Sequence, residues 1–210
     1  MREKAESDSG RSVIYNPNGV DTDLFDPKKS YERPNDMPEE AKIILYFGHI
    51  MGYWFDWDLV YDTAELCPDC GFLMIGYGTA WIKREKPKNV YFLDIKPQAE
   101  LPAYLAGSDF AMLHINTKEV GVHVSPIKAF EYLAMHKRVL ATPLPEIIGY
   151  PNVICSNDPK VWAETIKNPP AEAPYDDFVE ANSWHARCRE IIQELTGNEQ
   201  QAHGGFRHPS

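Results

Sequence analysis

Positive charge is scarce in this 210-residue chain: 21 Lys and Arg stand against 31 Asp and Glu, a formal net charge of −10. Coating a nucleic acid or an anionic membrane needs the opposite balance, so neither is an expected partner. A phosphate-bearing ligand stays open, provided its positive counterpart is local. Long apolar runs are also missing. Nothing approaches the roughly 20 residues of a membrane-spanning helix, and no basic-then-apolar signal segment opens the sequence. The expectation is a soluble, cytoplasmic protein without an integral membrane segment. Cysteine is sparse, at four residues. Cys67 and Cys70 form a CPDC at the end of a helical pattern, whereas a redox CxxC opens a helix. Cys155 and Cys188 are too far apart to add a second ligand pair for zinc, so structural thiols are expected. No internal repeat is evident.

What is present is an ordinary globular composition, 43% hydrophobic and 25% charged, in a chain with room for one sizeable core. Residues 1–11 (MREKAESDSGR) are polar and aperiodic and read as a disordered lead-in; residues 197–210 read as a flexible tail. Between them short apolar runs alternate with helical periodicity. Strands are expected at KIILYFG (42–48), GFLMIGYG (71–78), NVYFLD (89–94), DFAMLHI (109–115), RVLAT (138–142) and NVICS (152–156). Helices are expected at 56–66, 101–108, 125–136, 158–167 and 177–195. The strands are apolar throughout, as strands covered on both faces should be. Strand–helix alternation with short connections predicts an α/β fold: a single Rossmann-like, doubly wound parallel sheet of about six strands with helices on both faces. Such sheets bind ligands at the carboxyl ends of their strands.

The helix opening at Ser125 carries the most chemistry. Ser125 suits the N-cap and Pro126 the first turn, where a missing N–H is harmless. The remaining N–H groups of that turn attract anions. Lys128 adds a cation one turn in, and Glu131 follows at i+3. A carboxylate there can accept two hydrogen bonds from a vicinal diol such as a ribose. Ile127, Phe130 and Ala134 should pack on the sheet. On spacing alone, a capped helix with a solvated Lys128–Glu131 salt bridge is the favoured reading.

The segment SPIKAFEYLAMHKRVLAT resembles the nucleotide-sugar-binding segment of GT-B fold glycosyltransferases, the retaining enzymes of bacterial polysaccharide and glycoconjugate synthesis. YNPNGVDTDLF (15–25) is similar to the segment that leads into their second domain. ILYFGHIMGYWFDWDLV (44–60) is similar to a first strand and loop of one subgroup, and NVYFLDIKPQAELPAYLAGSDFAML to the third and fourth strands. NSWHARCREIIQEL (182–195) resembles the C-terminal helix that crosses back towards the acceptor domain. The resemblance implies a Rossmann-like donor domain over 12–175, a crossing helix over 176–196, and a nucleotide-diphospho-sugar as donor. It implies transfer to a saccharide or glycoconjugate acceptor held by an N-terminal domain, which is absent here or a separate chain. Peripheral attachment to an inner membrane would come through that missing domain. The isolated domain should bind donor weakly and turn over nothing.

Residue by residue, the resemblance maps the paired family glutamates onto His123 and Glu131. Glu131 inherits the ribose; His123 departs from the pattern, and Glu119 either substitutes in part or is an exposed acid. In the loop after the first strand, Gly48 and Gly52 allow close backbone approach to a phosphate. There His49 either donates to the diphosphate or sits incidentally in a turn. Gly76 and Tyr77 border the sugar or phosphates, and the backbone at Asp94 and Ile95 reads the base. Trp54 and Phe55 are expected to pack the start of a helix capped by Asp56. Asp56-Trp57-Asp58 resembles a DxD metal site, but these acids open a helix, so neither metal nor cofactor is expected. The KREKPK run (83–88) reads as a solvated loop rather than a phosphate clamp. The alternatives are a non-catalytic sugar-nucleotide-binding module or a subunit of a split transferase and, more remotely, a sugar-nucleotide epimerase.

Overall fold

The computed structural model describes residues 6–8, 10, 13, 14, 16–50, 53–79, 82, 84–118 and 124–203, with side chains as far as 196. Gly52, Glu119 and His123 lie outside the described residues. Six strands, β1 (Lys42–His49), β2 (Cys70–Tyr77), β3 (Val90–Leu93), β4 (Phe110–Leu113), β5 (Arg138–Ala141) and β6 (Val153–Cys155), form one sheet. Their order is β3-β2-β1-β4-β5-β6 and every pair is parallel. The helices are α1 (Trp57–Leu66), α2 (Leu101–Ala106), α3 (Ile127–Ala134), α4 (Pro159–Lys167), α5 (Asp176–Ala181) and α6 (Trp184–His203). The expected doubly wound α/β sheet is therefore present.

Alternation along β1 divides the core. Ile43, Leu45 and Phe47 join Leu105, Phe130 and Leu133 on one face, with Val20, Phe25 and Met37 of the N-terminal segment. Ile44 and Tyr46 join Leu59, Val60, Trp162 and Ile166 of α1 and α4 on the other. Apolar character on both faces of each strand is what this two-sided burial requires. The strand order reverses between β1 and β4, and the crevice at their carboxyl ends is the switch point where such folds take ligands.

Asp56 caps α1 as expected, accepting from the Leu59 N–H at 3.0 Å. The single helix expected over 177–195 is instead two. Ser183 ends the first and caps the second: its hydroxyl donates to the Glu180 carbonyl at 2.9 Å and accepts from the Ala186 N–H at 3.1 Å. The break lets Val20 pair in parallel with Ser183, through Val20 N–H to Asn182 O at 3.0 Å and Trp184 N–H to Val20 O at 2.9 Å. Backbone helix continues to His203, beyond the expected limit at 195. Of the expected lead-in, residues 6–8 form one helical turn closed by Gly10 N–H to Glu6 O at 2.9 Å.

Cys67 and Cys70 are buried free thiols, and burial pushes Cys70 up to about 11. The basic loop is not simply solvated. Arg84 reaches Asp58, Asp62 and Glu65 of α1 at 3.1, 2.7 and 3.1 Å, and Lys86 donates to Val90 O at 2.7 Å. Arg84 finds three acids because α1 presents them one turn apart. No helix among the described residues is long and apolar enough to cross a membrane.

Candidate functional site

Two glycines open the carboxyl end of the sheet. Gly48 and Gly76 are paired across β1 and β2, with φ of 137° and 153°. A Cβ on Gly76 would lie 1.8 Å from the Gly48 carbonyl, and one on Gly48 would lie 2.4 Å from Lys128 Cε. Only glycine fits either position, and the absent side chains leave a cavity of about 250 Å³. Its walls include Gly48, His49, Gly76, Tyr77, Ile95, Lys96, Gln98, Ile127, Lys128 and Glu131. His49 stacks on Tyr77 at 4.4 Å between ring centroids.

Lys128 and Glu131 meet in this cavity. Glu131 is only 7% exposed and Lys128 half-buried. Neither finds a hydrogen bond or ion pair among the described residues, although each feels the other's charge. Burial lowers the Lys128 ammonium below its usual range and raises the Glu131 carboxyl above its own, with the opposite charge of the partner working against both shifts. The alternative of a solvated salt bridge is excluded by this burial. Burial without such partners disfavours the charged form of each.

The helix start differs from expectation. α3 begins at Ile127, and Pro126, with an extended ψ of 104°, is the cap residue. Ser125 is not the N-cap: its hydroxyl donates to Glu146 Oε1 at 2.9 Å. That bond is charge-assisted and turns the hydroxyl towards Glu146. The Ser125 carbonyl accepts from Asn18 Nδ2 at 2.9 Å, so the N-terminal segment braces the same corner. Phe130 and Ala134 pack on the sheet as expected, but half-buried Ile127 lines the cavity. Asp94 is exposed and does not line it; Ile95, 67% exposed, does.

A second pocket, about 320 Å³, adjoins the first and shares His49, Ile127 and Lys128 with it. Its other lining residues are Tyr46, Trp54, Phe55, Leu113, Ile115, Val124, Ser125 and Pro126. Trp54 therefore faces a pocket, while Phe55 packs as expected against Tyr46, Trp57 and His114. His114, unremarked in the sequence, is fully buried beneath Phe55 and Trp57, and neither ring nitrogen is hydrogen-bonded among the described residues. Burial pushes its imidazole down to about 3, so the ring is neutral.

Sequence reasoning also missed Lys96 and Gln98. Lys96 is held by Asp36 at 2.6 Å beside the Tyr104 ring, which raises its ammonium above the ordinary range. Charge so near a strand end was the available signal. Among the described residues no group of three or more His, Cys, Asp or Glu is placed to hold a metal ion. Asp56 caps α1 and Asp58 pairs with Arg84.

The parallel sheet and its strand order define a Rossmann-like α/β fold. More narrowly, it is the fold of one half of the GT-B glycosyltransferases. A glycosyltransferase from Rickettsia africae superposes with a TM-score of 0.61 at 18% identity, over 89% of this chain and 58% of that one. WaaG, a glycosyltransferase involved in lipopolysaccharide biosynthesis, gives 0.52 at 15% identity, over 89% and 54%. Anabaena HepE, solved in complex with UDP-glucose, gives 0.50 at 15%, over 92% and 56%. The chain thus spans a little over half the length of these proteins. No family model and no curated protein matches it in sequence.

Proposed function

We propose that this chain is the donor-binding half of a glycosyltransferase, taking a nucleoside-diphospho-sugar for transfer to a saccharide or glycoconjugate acceptor. The observation that carries the proposal is the unpartnered Lys128–Glu131 pair in a glycine-walled cavity over the carboxyl ends of β1 and β2, beside the switch point. Lys128 and the first turn of α3 receive the diphosphate, whose negative charge restores the ammonium to its ordinary range. Glu131 accepts hydrogen bonds from a ribose diol, which favour its charged form. His49, beside both pockets, donates to the departing diphosphate.

Transfer proceeds with retained anomeric configuration and without a metal ion, the leaving charge being met by Lys128 and the helix terminus. Any general base comes from the acceptor-binding domain or from the substrate. Likeness to WaaG supports an acceptor of the surface-polysaccharide class. The span, a little over half of the similar structures, favours a second reading as a sugar-nucleotide-binding subunit of a split transferase.

Calorimetric titration with UDP, GDP and ADP tests the proposal. One diphosphate binds, EDTA leaves its affinity unchanged, and Glu131→Ala weakens it by roughly 1–3 kcal/mol. No binding at millimolar concentration overturns the reading.

A further inference from the structure

Asn18 lines neither of the two cavities, yet it holds the corner from which α3 departs. Its Nδ2 donates to the Ser125 carbonyl at 2.9 Å, across 107 residues of chain. The segment that carries Asn18 has little freedom of its own. Two residues on, the Val20 N–H and carbonyl bond to Asn182 O and Trp184 N at 3.0 and 2.9 Å. Gly19, between them, lies against the same junction: a Cβ there would stand 3.0, 3.1 and 3.2 Å from three of its backbone atoms. The segment is thus seated on the start of α6 where it reaches the corner.

That corner sets the direction of the donors that follow. The Ser125 carbonyl and the Pro126 nitrogen share one planar trans peptide, and the Pro126 ring restricts the next torsion. A single rotation, the Pro126 ψ of 104°, then separates this plane from the Ile127 N–H. Pro126 has no N–H, and the Ala129 N–H is spent on Pro126 O at 3.0 Å, so the turn offers a ligand the N–H groups of Ile127 and Lys128. Both residues line both cavities. We propose that Asn18 is a positioning residue for the diphosphate: by holding the Ser125 carbonyl it aims the Ile127 and Lys128 N–H groups at the phosphate oxygens. This inference rests on the proposed function and adds to it a residue outside the ligand cavities.

The test uses the full chain, whichever of UDP, GDP and ADP binds it, and the matching nucleoside. Asn18→Leu keeps the branched shape of the side chain and removes its donor; Asn18→Ala removes both. Each should weaken the diphosphate roughly three- to tenfold, the worth of one hydrogen bond. Affinity for the nucleoside, read by NMR titration, should stay unchanged, because Glu131 lies a turn further along α3. In the ligand-free variants the Ile127 and Lys128 amide resonances should move. Equal losses for diphosphate and nucleoside overturn the inference, as does an unchanged diphosphate affinity, and both leave the donor-site reading intact. Failure of every nucleoside diphosphate to bind the unaltered chain overturns both.

Discussion

The two ends of the same sheet differ in how far they pair their polar groups. At the amino end many are matched, although Glu40 Oε2 and Arg138 Nε are buried without a partner among the described residues. Asn89 Nδ2 donates to the carbonyls of Ala64, Cys67 and Cys70 at 3.0, 3.0 and 2.9 Å. Asp109 receives the Ile43 N–H at 2.8 Å, Lys42 reaches Ile166 O at 2.6 Å and Lys137 reaches Ser108 O at 2.8 Å. At the carboxyl end Lys128, Glu131 and His114 are buried or half-buried with no hydrogen-bond partner among the described residues. The amino end is paired mainly within the fold; the proposed ligand site lies at the end where these three side chains are unpaired. Groups that a fold desolvates without pairing are where chemistry is expected.

Glycine substitutions at the two ends of β2 give the largest contrast. Gly76→Ala drives a Cβ into the Gly48 carbonyl and should cost about 4 kcal/mol, as strain at a special backbone conformation does. Gly71→Ala meets only the ends of the Ile43 and Glu40 side chains, at 2.9 and 3.1 Å, and should cost under about 1 kcal/mol. Urea denaturation midpoints read both.

Acid comes next. His114 titrates near its ordinary 6.5 when unfolded and about 3 when folded. The unfolded state therefore binds more protons between those values. The contribution is intact above pH 6.5 and falls by up to about 1.4 kcal/mol per unit as pH drops towards 3. Glu131 acts oppositely, since its raised folded value gains stability as pH falls through it. Unfolding free energies from pH 7 to 4 should show the His114 slope, and His114→Leu should flatten it.

Asn89→Ala leaves carbonyls at the amino end unmatched and should lose about 2 kcal/mol, with nucleotide affinity unchanged by calorimetry. The smallest effect should have the opposite sign. Replacing the desolvated pair, in Lys128→Met/Glu131→Leu, should leave the free chain as stable or about 1 kcal/mol more stable while abolishing nucleotide binding. Thermal unfolding with and without nucleotide separates the two outcomes.

The same division governs what could be read from the sequence. All six strands were legible because burial on both faces writes unbroken apolar runs, and Asp56 was legible as a cap because its partner is three residues away. The start of α3 was misjudged because Ser125 finds Glu146, 21 residues distant, and its carbonyl finds Asn18, 107 residues distant. Local spacing contains neither partner. Lys128 and Glu131 were legible as residues, but not their isolation, which depends on the depth of the cavity. The break at Asn182–Ser183 carried a capping signal that the helical periodicity on either side outweighed.

The parallel bridge between Val20 and Ser183 has a mechanical consequence. Tension applied between residue 16 and residue 196 loads its two hydrogen bonds side by side in shear, outside the six-stranded sheet. That short clamp stands between the pull and the six strands. Force should strip the terminal helix away first, leaving the sheet and its ligand crevice unstretched.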